Sequence, residues 1–175
     1  MPLTNEQAQH LIDIDKWILV NDSPANTITI NQEFPMRLRF ELVSKDEEYQ
    51  FLWSVTQSKK DTLRMSFHCQ EDESELGILR VDYNAGHQNP AEVLDTLPDK
   101  FIPYVGKLFG NKESHVHYHV DGYKTLAWAM PLTGVEQINV KEIAETNSDT
   151  IKGAIEEFAR LINIKTTIIF NGLLL

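Results

Sequence analysis

Cysteine is almost absent. Cys69 stands alone, so no disulfide can close within the chain and no cluster of thiolates can hold zinc. Long apolar runs are missing as well: no stretch approaches the roughly 20 residues of a membrane helix, and the opening Met-Pro-Leu-Thr lacks the basic-then-apolar signature of a signal peptide. The sequence therefore predicts a cytoplasmic protein with no membrane contact. Positive charge is scarce, with 16 Lys+Arg against 26 Asp+Glu and a formal net charge of −10. Such a chain repels nucleic acid and anionic lipid unless a local basic patch reverses the field. Repeats, linkers and low-complexity tracts are lacking too, and 175 residues with 42% hydrophobic content suit one globular domain with a proper core.

Histidine, by contrast, is concentrated. Three of the six histidines fall in Ser114-His115-Val116-His117-Tyr118-His119-Val120. Side chains alternate across a β-strand, so this stretch reads as a strand with His115, His117 and His119 on one face and Val116, Tyr118 and Val120 on the other.

Alternation recurs through the middle of the chain. Phe34 to Val43 sets Met36, Leu38, Phe40 and Leu42 against Arg37, Arg39 and Glu41, and Tyr49 to Thr56 follows in the same manner. Leu63, Met65 and Phe67 oppose Arg64, Ser66 and His68, and Leu76 to Tyr83 sets Leu79 and Val81 against Arg80 and Asp82. Polar turns between close-spaced strands argue for an antiparallel meander. Thr27 to Ile30 reads as a short edge strand, and Leu126 to Pro131 as the partner of the histidine strand across Asp121-Gly122. Helical spacing is expected at the two ends, from Thr4 to about Val20 and from Asp149 or Thr150 through Ile162. The sequence thus predicts an α+β fold, an antiparallel sheet of about six strands with N- and C-terminal helices on one face. Asn84 to Lys112, rich in proline and glycine, reads as an ordered loop folded over something. The apolar tail from Thr166 to Leu175 is expected to cover a sheet edge or to form a homodimer contact.

With the apolar phases turned toward the helices, the second face collects Arg37, Arg39, Arg64, His68, Arg80, Asp82, His115, His117 and His119. Four of the five arginines fall in or beside this set. Open sheet faces are ordinarily polar and often carry arginine–glutamate pairs. A basic island in an acidic chain also suits an anionic ligand, a small molecule or RNA, because arginine grips phosphate and carboxylate in a bidentate fashion.

The run Arg80-Val81-Asp82, then His87-Gln88-Asn89-Pro90, then His115-Val116-His117, then Trp128-Ala129-Met130-Pro131-Leu132 resembles a family of small uncharacterised bacterial proteins. More loosely, a strand ending in an aspartate with later paired histidines is similar to small ribonuclease toxins of toxin–antitoxin pairs. The first likeness implies no activity; the second implies RNA cleavage.

Two chemistries suit these groups. Without metal or other cofactor, one imidazole acts as base and a second as acid while arginine holds a phosphate. That reading takes His87, His115, His117 and Asp82 as the catalytic set and Arg80, Asn89, Arg64, His68 and His119 as ligand contacts. With zinc, His115 and His119 lie too far apart to share one ion, about 13 Å at Cα. A metal site then needs two strand histidines with Asp82, His87 or His68. A non-enzymatic module for binding or self-association is the third reading.

Overall fold

The computed structural model describes residues 3–31 and 33–171. Helix α1 (Asn5–Asp13) opens on a capping box, with Thr4 Oγ1 accepting from the Gln7 amide and Gln7 accepting from the Thr4 amide. It ends earlier than its apolar spacing predicts. Ile14 is extended, and Lys16–Val20 forms strand β1. The run Trp17-Ile18-Leu19-Val20 is bulky and mostly branched, and it pairs with a neighbouring strand instead of prolonging the helix. Asn21 and Asp22 then both take positive φ, as a tight hairpin needs, and return the chain into β2 (Ser23–Pro24).

The remaining strands are β3 (Thr27–Asn31), β4 (Arg37–Ser44), β5 (Gln50–Gln57), β6 (Met65–Glu71), β7 (Gly77–Tyr83), β8 (His87–Gln88), β9 (Leu108–Phe109), β10 (His115–Tyr118), β11 (Trp128–Pro131) and β12 (Thr167–Asn171). Eight of them form one antiparallel sheet in the order β11-β10-β7-β6-β5-β4-β1-β2, two more than the sequence predicts. The additions lie at one edge, where β1 and its hairpin replace the end of the expected first helix. The expected edge strand at Thr27 forms as β3. It pairs in parallel with β12 in a separate two-stranded sheet, so part of the apolar tail covers an edge. Leu173 to Leu175 lie outside the described residues.

Register aligns one apolar face across the meander. Leu38, Val55, Phe67, Val81 and Val116 are successive cross-strand partners, as are Phe40, Trp53, Cys69, Leu79 and Tyr118. Helix α2 (Ser148–Leu161), capped by Asn147, lays Phe158 on this face, with ring centroids 6.0 Å from Trp53 and 5.7 Å from Phe67. Leu11 and Ile12 of α1 join the same core.

The two helices end beside each other. Lys16, wholly buried, donates from Nζ to the carbonyls of Ile12, Ile14 and Ile162 at 2.9, 3.0 and 2.9 Å. One ammonium thus satisfies carbonyls at both C-termini, where the helix dipole also favours a cation.

Candidate functional site

On the opposite face the same register builds polar rows. Arg39, Ser54, His68, Arg80 and His117 are successive partners, and so are Arg37, Thr56, Ser66, Asp82 and His115. The rows divide in character along their length. Arg37 and Arg39 on β4 are exposed, whereas His115 and His117 are completely buried.

Burial comes from the long loop, so the face is not open at its histidine end. The strand pair β8–β9 lies over it, with the Phe109 ring centroid 4.6 Å from His115 and His87 4.5 Å from His117. The imidazoles of His87, His115 and His117 pack mutually, with centroids between 4.5 and 5.7 Å apart. His119 does not join them. The strand ends at Tyr118, and His119 turns away to bond the Leu3 carbonyl at 2.9 Å. His68 stays on the face in register with Arg80, while Arg64 precedes β6 and is exposed at the rim.

Asp82 is the hub. Its Oδ1 accepts from Ser66 Oγ at 2.6 Å, and its Oδ2 lies 2.9 Å from Arg80 Nε, 3.1 Å from His117 Nε2 and 3.8 Å from His115 Nε2. Burial acts to raise the carboxyl's pKa. The contacts with His117, Arg80 and Ser66 outweigh it and hold Asp82 well below the usual carboxylate range. Arg80 approaches close enough for an ion pair, yet its Nε–H is not aimed at an acceptor.

Hydrogen bonds fix where the ring protons sit. His117 Nδ1 lies 2.9 Å from the Leu126 carbonyl, which can only accept, so Nδ1 carries a proton. Its Nε2 faces both the Arg80 guanidinium at 3.0 Å and the Asp82 carboxylate at 3.1 Å. Neutral, it accepts from arginine; protonated, it donates to aspartate. His87 has the opposite arrangement. Nε2 faces the Ala127 carbonyl at 2.9 Å and Asn89 Oδ1 at 3.1 Å, both acceptors, which leaves Nδ1 as the basic nitrogen. Burial, then the neighbouring His117, lowers the His87 pKa. No hydrogen bond of good geometry reaches either nitrogen of His115, although the Glu113 backbone interacts with the ring, and burial, then the neighbouring His117, pushes its pKa down to about 4.

Asn89 is buried and fully engaged. Its amide donates to the carbonyls of Tyr104 and Ala129, while its oxygen accepts from the Ala129 amide. It ties the loop to β11 and seats His87, which explains the spacing of His87-Gln88-Asn89 ahead of Trp128-Ala129. Gly77 serves a similar end. A Cβ there would meet Leu126 Cδ1 at 2.5 Å, so glycine lets the Leu126 turn, itself at φ 54°, descend toward His117.

Two hollows flank Arg80. One, about 300 Å³, is lined by Thr56, Ser58, Arg64, Ser66 and Asp82; the other, about 530 Å³, by His87, Gln88, Lys124 and Thr125, with Arg80 in the wall of both. Ser58 and Lys124 are absent from the sequence-derived set, because both sit in turns where no periodicity assigns a face. A further hollow of about 390 Å³ lies between the helices and the sheet, lined by Ile12, Leu79 and Tyr118, and it holds no histidine.

Residues 3–164 match the family of unknown function DUF6978, and the chain belongs to it. No curated protein and no solved structure matches the chain. The expected membership in an uncharacterised family therefore stands on a match across most of the chain, while the ribonuclease-toxin likeness gains nothing from it. Among the described residues, no helix is long and apolar enough to cross a membrane.

Proposed function

We propose that the cleft around Arg80 binds a small phosphate-bearing ligand and that His87 is its proton-transfer group. The observation that carries this reading is the position of Arg80. Its side chain is one-third exposed, backed by Asp82 and His117, and shared by two hollows that bring Arg64 to one side and Lys124 to the other. Three cations face one carboxylate there, in a chain whose net charge is −10. A guanidinium held from behind offers its remaining N–H groups to oxygen atoms at little further entropic cost. The hydroxyls of Ser58, Thr56 and Thr125 supply neutral donors for the rest of a phosphate.

His87 is the histidine within reach of a ligand in this arrangement, since it lines the larger hollow while His115 and His117 are sealed beneath it. Its lowered pKa keeps it neutral near pH 7, and Nδ1 is free to take a proton. This supports phosphoester cleavage as the activity to test. The acidic surface favours a short substrate over long RNA.

Calorimetry on chelator-treated protein, with inorganic pyrophosphate, a nucleoside monophosphate and a short single-stranded RNA as probes, tests the reading. Arg80→Gln should weaken binding of the short phosphates by about 10- to 100-fold, the worth of one charged hydrogen-bonded contact. His87→Ala should leave binding in place and remove any cleavage. Absence of binding by all three probes, or binding indifferent to Arg80→Gln in a natively folded variant, overturns it.

A further inference from the structure

Beneath the anion cleft, donor atoms of three buried side chains converge, and among the described residues their only other close polar contact is the Arg80 guanidinium. Ser66 occupies Oδ1 of Asp82 and leaves Oδ2 turned inward. The Leu126 carbonyl takes the Nδ1 proton of His117 and leaves Nε2 turned the same way. His115, completely buried, has neither nitrogen in a hydrogen bond of good geometry, with Nε2 3.8 Å from Asp82 Oδ2. One donor atom from each of Asp82, His115 and His117 lies within 4.8 Å of the other two.

We propose that Asp82, His115 and His117 form a binding site for a divalent transition metal of the zinc class. Two imidazoles and one carboxylate suit borderline ions such as Zn²⁺ or Co²⁺ and suit Mg²⁺ or Ca²⁺ poorly, since those take oxygen ligands. Bonds of about 2.0 to 2.1 Å at tetrahedral angles set donor atoms roughly 3.4 Å apart. The Asp82–His117 and Asp82–His115 separations of 3.1 and 3.8 Å bracket that distance. Outer contacts of the usual kind are already in place: a ligand histidine gives its other N–H to a backbone carbonyl, and a ligand carboxylate accepts from a hydroxyl. Phe109 and His87 pack on the rings of His115 and His117 and hold their orientation.

Arg80 lies against two of the three donor atoms. Its guanidinium lies at 2.9 Å from Asp82 Oδ2 and 3.0 Å from His117 Nε2, while its Nε–H finds no acceptor along its own direction. It neutralises the carboxylate, and because its side chain is one-third exposed and lines both hollows it can swing outward when a metal takes those atoms. Arginine and metal therefore compete for the same two atoms. The inference does not depend on the anion reading, because the triad needs no ligand in the cleft.

The test is titration of the full-length protein with Zn²⁺ after chelation and dialysis, with metal content checked by elemental analysis. One equivalent should bind. Affinity should fall by at least about 100-fold in His115→Gln and in His117→Gln, as expected when one of three ligands is lost. Arg80→Gln should bind Zn²⁺ more tightly than the parent, whereas it loses anion binding, which separates the two proposals. His119→Gln should behave as the parent. Substitution at buried histidines can unfold the sheet, so the parent's Co²⁺ spectrum gives a second readout. Intense visible bands of a four- or five-coordinate ion are expected at one equivalent. No stoichiometric binding, a Co²⁺ spectrum like that of the aqueous ion, binding that survives loss of either ligand, or weaker binding in Arg80→Gln would overturn the site.

Discussion

His115 shows how a single residue can serve a site at the expense of the fold. It is sealed from water, and neither nitrogen makes a hydrogen bond of good geometry, although buried polar atoms ordinarily find partners. Replacing an unsatisfied buried polar group by an apolar one removes a desolvation penalty of about 1 to 3 kcal/mol. His115→Leu is therefore expected to raise the melting temperature of the metal-free protein by several degrees. A lower melting temperature would mean that the imidazole contributes more through its packing on Phe109 than it loses by being unpaired. Asn89 is the opposite case, with its amide satisfied on both ends by Tyr104, Ala129 and His87. Asn89→Ala should destabilise by about 2 to 4 kcal/mol, since it orphans several buried backbone groups at once. Denaturant melts decide both.

Among elements, the strands were largely legible and the ends of elements were not. The alternation of Met36 to Leu42 against Arg37 to Glu41, and of Leu79 and Val81 against Arg80 and Asp82, is the register that the sheet adopts. Period two survives in a meander because each strand has one buried face. The first helix is not separable from β1 by spacing, because Trp17 and Ile18 fit a helical stripe as well as a strand, and pairing with β4 decides between them. The same ambiguity hid Lys16. Nothing local to it predicts a cation buried between two helix ends that are far apart in sequence. Lys16→Met should lose about 3 kcal/mol or more, with carbonyls at both C-termini left unpaired.

Lys16 also has a pH signature. Burial lowers its amine to about 8 from the ordinary 10.5, so between those values the unfolded chain holds the proton and the folded one does not. Stability from this group rises as pH increases from about 8 to about 10.5, and below 8 it contributes no pH dependence. Melts of parent and Lys16→Met across that window should diverge in slope, with only the parent gaining. Parallel curves would contradict the assignment.

At the scale of the whole molecule, what the sequence could not display was the cover over the site. It collected Arg80, Asp82, His115 and His117 on one face correctly, but it treated that face as open and included His119, which the end of β10 carries away. Loop closure depends on contacts such as Phe109 on His115 and Asn89 on β11, and neither follows from any periodicity. Closure converts a polar strand face into buried histidines beneath a cleft floored by the Arg80–Asp82 pair. The charge of the molecule fits that arrangement: acidic overall, basic where Arg64, Arg80 and Lys124 meet solvent. The tail's expected homodimer contact remains a proposal for light scattering, in which loss of Leu173 to Leu175 should reduce the mass to that of one chain.

If Arg80 anchors an anion, its guanidinium responds first when one is added. The five arginines, at positions 37, 39, 64, 80 and 160, make it directly measurable. Nitrogen-15 correlation spectra of the arginine Nε–H groups, recorded while pyrophosphate is added to metal-free protein, resolve each guanidinium. Arg80 should shift saturably, with a smaller response from Arg64, while Arg37, Arg39 and Arg160 stay fixed. An unmoved Arg80, or equal drift of all five, would contradict the assignment of the cleft.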